Sequence, residues 1–552
     1  MLSVVLLLAA AQPDSVAALR SAQRAQQAFE SRRGFLAPRT LGGARVDGEC
    51  DEKIGRFCYW YDDDRLPLPR ESEEISAART HLLDLLDSAA AQLPGDWWIA
   101  GQRVRYLVES DRAVEAAAVA HACRAERWWC EALEGFARHA AGDDVAADTI
   151  YAAALEDMPA GQRCRWTDLT PLLDGSLRQR FRRFDCASRS AFSAHLWWLA
   201  QPLLSRPGND RRVEHYARLT MVRMLERASS AWTYPMDDDL RELTLRYGWP
   251  IAWSAALGDE LNDPRDITGH ERIPAFHFFP NAAADLAPES SSWDLKPVRP
   301  HERYAPMYAR TFATLTPAIT VFRRGESTLV VVAYDLTRDT SWVPEPTLSR
   351  AVVVARDEYH PPLVIRSDDS SRKGVMVADA PWPATVAGFE VTQTGTLHVG
   401  RARVAITARN PSLVGASGLL VFDPSDSLPE DLAAVLPRVL SSAQVAIGGR
   451  IGLYWEVYGL APAEPVETKV TVAPHHTGLL RRIGSWIGMG KRSRDTQLAW
   501  HEVVDPQTGM IHRAVMVDVS SLDPGRYDVR VTVAARGRDV TTARELEIIR
   551  PQ

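Results

Sequence analysis

The chain has 552 residues, 46% hydrophobic and 24% charged, with a formal net charge of -7. These proportions exclude general disorder, since there is enough apolar surface to offset chain entropy. The acidic balance excludes a general attraction to nucleic acid, and the length predicts several domains. Fifty-nine Arg stand against five Lys, a bias read as coding composition rather than as an Arg-driven surface.

Leu2 to Ala11 is an apolar run too short to span a bilayer, and it ends in Ala9-Ala10-Ala11 before Gln12-Pro13. A short apolar run closed by small residues predicts a secretory signal peptide over 1–11, despite a front without Lys or Arg. The alternative is an N-terminal helix docked on the core. Nothing beyond Ala11 approaches the length of an apolar membrane span.

Six cysteines, Cys50, Cys58, Cys123, Cys130, Cys164 and Cys186, lie in the first third. An even number in an exported chain predicts disulfides. Pairing neighbours, Cys50–Cys58, Cys123–Cys130 and Cys164–Cys186, closes the shortest loops and is the expectation. There is no C-x-x-C and no finger-like His spacing, so no metal site is expected. Buried free thiols are the other alternative.

From about Ser15 to Glu226 the apolar period is helical, and 12–229 is read as one helical region. Ile75, Ala78, Leu82, Leu83, Leu85, Leu86 and Ala89 lie roughly on one face, and Pro94-Gly95-Asp96 ends that helix. Ser110-Asp111 can cap the helix from Arg112 to Ala122. The doublets Trp97-Trp98, Trp128-Trp129 and Trp197-Trp198 are 31 and 69 residues apart, a period near that of tetratricopeptide-like hairpins. Gly135, Ala147, Tyr151, Ala154 and Pro159 resemble one such unit. Trp97, Trp128 and Trp197 are thus candidate binding residues on a concave surface, against the alternative of a bundle with Trp in its core.

The segment 230–305 is aromatic and turn-rich, with Trp232 and Trp249 as further candidates. Leu243, Leu245 and Tyr247 alternate with polar residues and predict a short strand. Asn281 to Pro306 predicts a linker. From Ala318 the period is two, and short strands separated by turn residues predict an Ig-like antiparallel β-sandwich over 306–425. Pro429 to Leu440 predicts a helix within a connector over 426–449, before a second sandwich over 450–552. The fold class is therefore multidomain, α then β.

Three stretches together resemble the bacterial proteins named for a GWxTD motif. They are Pro207 to Arg218, Trp232 to Asp239 with Leu243 to Pro250, and Leu453 to Leu460 with Leu522 to Tyr527. In place of the naming pentapeptide this chain reads Ala231-Trp232-Thr233-Tyr234-Pro235-Met236-Asp237, as in a divergent relative. The resemblance implies an exported protein and carries over no catalytic residue.

The acidic runs Asp62-Asp63-Asp64 and Asp237-Asp238-Asp239 lack the alternating ligands, central Gly and final Glu of an EF-hand, and are read as solvated turns or caps. His270-Glu271, His277 and His475-His476 are read as loop histidines. No G-x-S-x-G elbow, Walker loop or Rossmann fingerprint occurs. Tyr454, Glu456 and Tyr458 share one strand face and form a candidate sugar or cation platform, against a carboxylate paired with a neighbouring Arg. The loop His475 to Arg494 places Leu479, Ile483, Trp486 and Ile487 in one stripe beside Arg481 and Arg482, the composition of an interfacial helix. Gly484, Gly488 and Gly490 oppose a stable helix there, and a loop folded onto its own sandwich is the alternative. The chain is thus expected to be an exported binding or scaffold protein, non-catalytic and without cofactor. Its partner would be an unknown protein or an envelope polymer, not nucleic acid, with a peripheral membrane contact through that loop. An envelope-polymer hydrolase using Asp237 to Asp239 and a carbohydrate-binding sandwich are the alternatives.

Overall fold

The computed structural model describes residues 12–40, 50–61, 67–173, 175–256, 267–280, 293–295, 300–342, 348–393, 395–406, 414–424, 427–446, 449–475, 496–505, 509–535 and 538–550. The expectations for 1–11, for Asp62 to Asp64 and for Leu479, Arg481, Arg482, Ile483, Trp486 and Ile487 lie outside them. The chain divides into two compact units, Met1–Phe312 and Ala313–Gln552.

The first unit is helical. Its helices are α1 (Gln12–Leu36), α2 (Glu73–Gln92), α3 (Trp97–Val108), α4 (Ala113–His121), α5 (Arg127–Ala140), α6 (Asp144–Asp157), α7 (Ala160–Trp166), α8 (Gly175–Arg182), α9 (Cys186–Ala200), α10 (Asp210–Leu225) and α11 (Asp238–Tyr247). Short side chains set their starts. Asp96, Asp143, Asn209 and Asp237 each accept a backbone N–H two or three residues on, satisfying donors the first turn leaves open. Ser110 and Asp111 do not cap α4. The Ser110 hydroxyl donates back to the Tyr106 carbonyl at 2.7 Å, and Asp111 takes a φ of 58°. α5 and α6 close on each other because Gly135 has no side chain, and a Cβ there would sit 3.0 Å from the Tyr151 ring.

Five short strands complete this unit: β1 (Arg39–Thr40), β2 (Glu52–Ile54), β3 (Phe57–Tyr59), β4 (Ala252–Ala256) and β5 (Ile267–His270). β2 and β3 form a hairpin, and β1-β4-β5 a small sheet. Disulfides join Cys50–Cys58, Cys123–Cys130 and Cys164–Cys186, with Cα–Cα distances of 5.2, 5.6 and 5.4 Å.

The second unit is built of sheets. Its strands are β6 (Thr311–Thr314), β7 (Ala318–Arg324), β8 (Ser327–Asp335), β9 (Leu348–Ala355), β10 (Leu363–Asp369), β11 (Lys373–Ala380), β12 (Val386–Gln393) and β13 (His398–Ala405). Then come β14 (Gly415–Ala416), β15 (Leu420–Phe422), β16 (Gln444–Ala446), β17 (Arg450–Tyr458) and β18 (Pro465–Pro474). The last are β19 (Thr496–Val503), β20 (Ile511–Asp518), β21 (Gly525–Ala535) and β22 (Arg538–Ile549). Four sheets result: β10-β9-β12-β13-β6; β11-β8-β7; β14-β17-β15 with β20 on β17; and β16-β22-β21-β18-β19.

Strand alternation distributes side chains over three apolar clusters. Val330, Val332 and Tyr334 of β8 join Val352, Val354, Phe389 and Val391 of the first sheet. Val331 and Ala333 of the same strand instead meet Leu420, Phe422 and Tyr454 of the third sheet. Leu453, Trp455 and Val457 of β17 turn the other way, onto Val470, Val472, Val529 and Val531 of the fourth. β8 and β17 are therefore buried on both faces, which is why Leu329-Val330-Val331-Val332-Ala333 reads as an unbroken apolar run.

Four further expectations are corrected. Leu243, Leu245 and Tyr247 lie on α11, not on a strand: Asp237 caps it, Gly248 ends it at φ 107°, and both its faces are buried, so the apolar residues fail to mark a single stripe. The helix expected over Pro429 to Leu440 shrinks to α12 (Leu432–Val435) and a 3-10 turn, Leu436–Arg438, because Pro437 has no N–H to continue it. β16 runs parallel to β22 over three residues, in a sheet whose β18–β19, β18–β21 and β21–β22 pairs are antiparallel. The span expected as a linker carries packed residues. Trp293 is buried and donates to the Leu199 carbonyl at 3.0 Å, while Glu302 is fully buried.

Candidate functional site

The expected Trp residues are mostly core. Trp128 and Trp197 are buried, and Trp97 and Trp249 are half-buried. Trp97, Trp128 and Trp129 enclose the Arg223 guanidinium of α10, whose carbon lies 4.8, 4.8 and 5.0 Å from the three rings. Trp197 packs on His215 and Phe279, and Trp249 on Phe136. The doublets are thus packed largely within the helical core.

The Tyr454, Glu456 and Tyr458 platform is closed too. The Glu456 carboxylate accepts from both Tyr hydroxyls and from both terminal nitrogens of Arg324 on β7, the Tyr454 and Arg324 Nη2 bonds being 2.8 and 2.9 Å. Tyr454 and Glu456 are buried, because this face of β17 is the one turned toward the second sheet.

Asp237 and Asp239 act locally. Asp237 caps α11 and pairs with Arg56 at 2.6 Å, and Asp239 accepts the Arg56 backbone N–H at 3.2 Å. The carboxylates fasten the β2–β3 turn. Arg56 also lies 4.9 Å from the Phe57 and Tyr234 rings.

That fastening shapes a cleft of about 250 Å³ between the disulfide hairpin, α11 and β5. Phe57, Tyr59, Trp60, Trp232, Tyr234 and Tyr247 give it aromatic walls, and His270, Glu271 and Arg272 line it as well. Tyr59 stacks on Tyr247 with centroids 3.7 Å apart and planes 9° apart. Trp232 reaches the wall because Gly269 is bare: a Cβ there would stand 2.6 Å from the Trp232 ring. Burial, together with Glu271, pushes the Tyr59 hydroxyl above its ordinary range against the pull of Arg303 and Arg218, so it stays a neutral donor. His270 is held by Ser254, Nε2 to Oγ, at 2.8 Å.

Beneath lies a buried ionic framework that sequence patterning missed. Arg211 donates to Glu302 at 2.6 Å with neither side chain exposed, and Glu302 accepts the Phe278 and Phe279 N–H groups at 2.8 Å each. Burial alone would raise the Glu302 carboxyl; Arg211, then His277 at 3.2 Å and the backbone N–H groups, hold it far below its ordinary range. Arg218 donates to Glu214 at 2.7 Å and to the carbonyls of Leu245, Arg246 and Arg303. His139 lies between Asp144 and Glu214 at 2.6 and 2.7 Å. Burial opposes its charge, but the two carboxylates prevail and raise its pKa to about 9. This framework anchors the end of α11, and hence Tyr247. The hairpin's part was signalled by Phe57, Tyr59, Trp60 and Tyr61 crowding around Cys58. Nothing local in the sequence signals that His270 to Arg272 would face them.

No protein-family model matches the chain, and no curated protein matches it. Among solved structures, a red sea bream transglutaminase is similar at 10% identity, with 54% of this chain and 41% of that chain covered and a TM-score of 0.16. Escherichia coli alpha-2-macroglobulin activated by porcine elastase is similar at 12% identity, with 42% and 22% covered and a TM-score of 0.15. The chain spans less than half the length of either, and likenesses this weak carry no argument about fold or function. Among the described residues no group of three or more His, Cys, Asp or Glu could hold a metal ion, and no helix is long and apolar enough to cross a membrane.

Proposed function

We propose that the protein is an exported, non-catalytic binding protein that takes a saccharide segment of an envelope polymer in the cleft between the disulfide hairpin, α11 and β5. The observation that carries this is the cleft's lining. Flat rings suit the C–H faces of a sugar, and the edges of His270, Glu271 and Arg272 suit its hydroxyls. Three disulfides support export, since such bonds persist in oxidising compartments.

The relationship to the GWxTD proteins belongs to the same proposal. In its support, Trp232 and the stretch Leu243 to Pro250 contribute cleft wall, and Pro207 to Arg218 contributes the framework beneath. The paired sheets of the second unit are proposed to be two Ig-like sandwiches. The tetratricopeptide-like reading keeps only the α5–α6 hairpin in its favour. A hydrolase built on Asp237 to Asp239 has less support, because these carboxylates cap a helix and fasten a turn, and none lines the cleft.

The test is retention of soluble glycan fragments from a bacterial envelope on the immobilised full chain. Saturable retention that Arg272→Ala weakens is expected. Retention unchanged by that variant would move the ligand elsewhere, and absence of retention would remove the saccharide.

A further inference from the structure

A second opening, independent of the cleft, lies between α7, α10 and α11 and encloses about 200 Å³. Its floor is one face of α10: Leu219, Val222, Arg223 and Glu226 recur at helical spacing. Arg165 and Trp166 come from α7, and Arg241 from α11.

Charge is unbalanced here. Three guanidiniums face one carboxylate, Glu226. The Arg223 side chain makes no hydrogen bond or ion pair among the described residues, and its Nε is buried without an acceptor. Burial opposes its charge; Glu226 and then Glu126 favour it, both at a distance, Glu126 being bonded to Trp128 Nε1 at 2.8 Å. What holds Arg223 is the cage of three tryptophans, which fixes the guanidinium plane without neutralising it. Arg165 leans on the Gln162 side-chain carbonyl, a neutral acceptor. Arg241 is half-buried and likewise has no side-chain partner among the described residues. A buried donor without an acceptor is costly and uncommon, and a rigid guanidinium fork matches the oxygens of phosphate-like anions.

We infer that this opening is a binding site for a tetrahedral oxyanion, phosphate or sulfate, either free or as the terminal ester of a larger molecule, with Arg165, Arg223 and Arg241 as its three donors. The Trp97 and Trp128-Trp129 repeat then has a role: it holds one anion-binding arginine in place.

Calorimetric titration of the full chain at constant ionic strength, with inorganic phosphate, sulfate, glycerol phosphate and acetate in separate arms, tests this. Saturable binding of phosphate or sulfate is expected, with acetate at least about tenfold weaker because it offers a single fork face. Stronger binding of glycerol phosphate than of inorganic phosphate identifies the ester as the form taken, and the reverse identifies the free ion. Arg241→Gln lies outside the tryptophan cage and should weaken binding about tenfold without altering thermal unfolding. Arg223→Lys, which keeps charge but loses the fork, should weaken it as well. No saturable binding, acetate binding equal to phosphate, or binding that Arg241→Gln and Arg165→Gln leave within about twofold would overturn the inference.

Discussion

Glu456 and Glu271 each stand among tyrosines, one in each unit, and their surroundings differ. Around Glu456 the carboxylate takes Tyr454, Tyr458 and both terminal nitrogens of Arg324, so the cluster is closed. Around Glu271, the stacked Tyr59 and Tyr247 border about 250 Å³ of open space. What differs is the neighbour. β17 meets a sheet whose Arg324 and apolar side chains fill the face around Glu456, whereas the hairpin, α11 and β5 leave a cleft walled in part by Trp232 and Tyr234. A constellation of aromatic and acidic residues can line a site only where packing leaves open space beside it.

If closed clusters serve stability and the cleft serves binding, substitutions should separate the two. The largest effect is expected from Arg211→Met. Glu302 would stay fully buried without its guanidinium partner, left with His277 and the Phe278 and Phe279 N–H groups, costing about 3 kcal/mol in urea unfolding. A loss below about 1 kcal/mol would show that water reaches Glu302, as at an exposed pair.

The next is a pH effect on the same framework. His139 binds its proton more tightly folded than unfolded, so its contribution is complete below its ordinary 6.5 and is lost as pH rises through about 9. Glu214, held below its ordinary 4.5, contributes above that value and loses its contribution as pH falls below it. The stability of the helical unit should therefore plateau between these values and fall by about 3 kcal/mol on the alkaline side. His139→Gln should flatten the alkaline slope, and an unchanged slope in chemical unfolding across that range would exclude the assignment.

Arg324→Met comes third. Its side chain is 34% exposed, so water can partly replace it at Glu456, and about 2 kcal/mol is expected, confined to the sheet unit. Glycan binding should not change; if it does, the closed cluster is not closed. The smallest stability effect belongs to Tyr234→Ala, since Tyr234 is 47% exposed. About 0.5 kcal/mol is expected there, with a large loss of binding.

The helical and stranded halves were legible because their periods, 3.6 and 2, repeat over many residues. Which face each residue would serve was not. β17 alternates correctly, but with both its faces buried the alternation separates two interiors rather than inside from outside. Glu302 and Arg303 read as linker because charge usually marks solvent; their partners lie 91 and 242 residues away, at Arg211 and at the carbonyl of Tyr61. The Trp doublets marked core, as aromatic periodicity usually does. Of the expected binding residues, Trp232 lines the cleft and Trp249 only the small space beside it. The cleft depends on Gly269 admitting an indole from a distant segment, a contact no local pattern encodes.

The central claim is that the aromatic cleft, and not a closed cluster, takes the ligand. It is tested most directly by calorimetric titration of envelope glycan fragments into the full chain and its Tyr234→Ala variant, alongside thermal unfolding of both. Saturable binding weakened at least about tenfold in the variant, with nearly unchanged unfolding, is the predicted result. Equal binding by the two chains, or no binding by the parent, would contradict it.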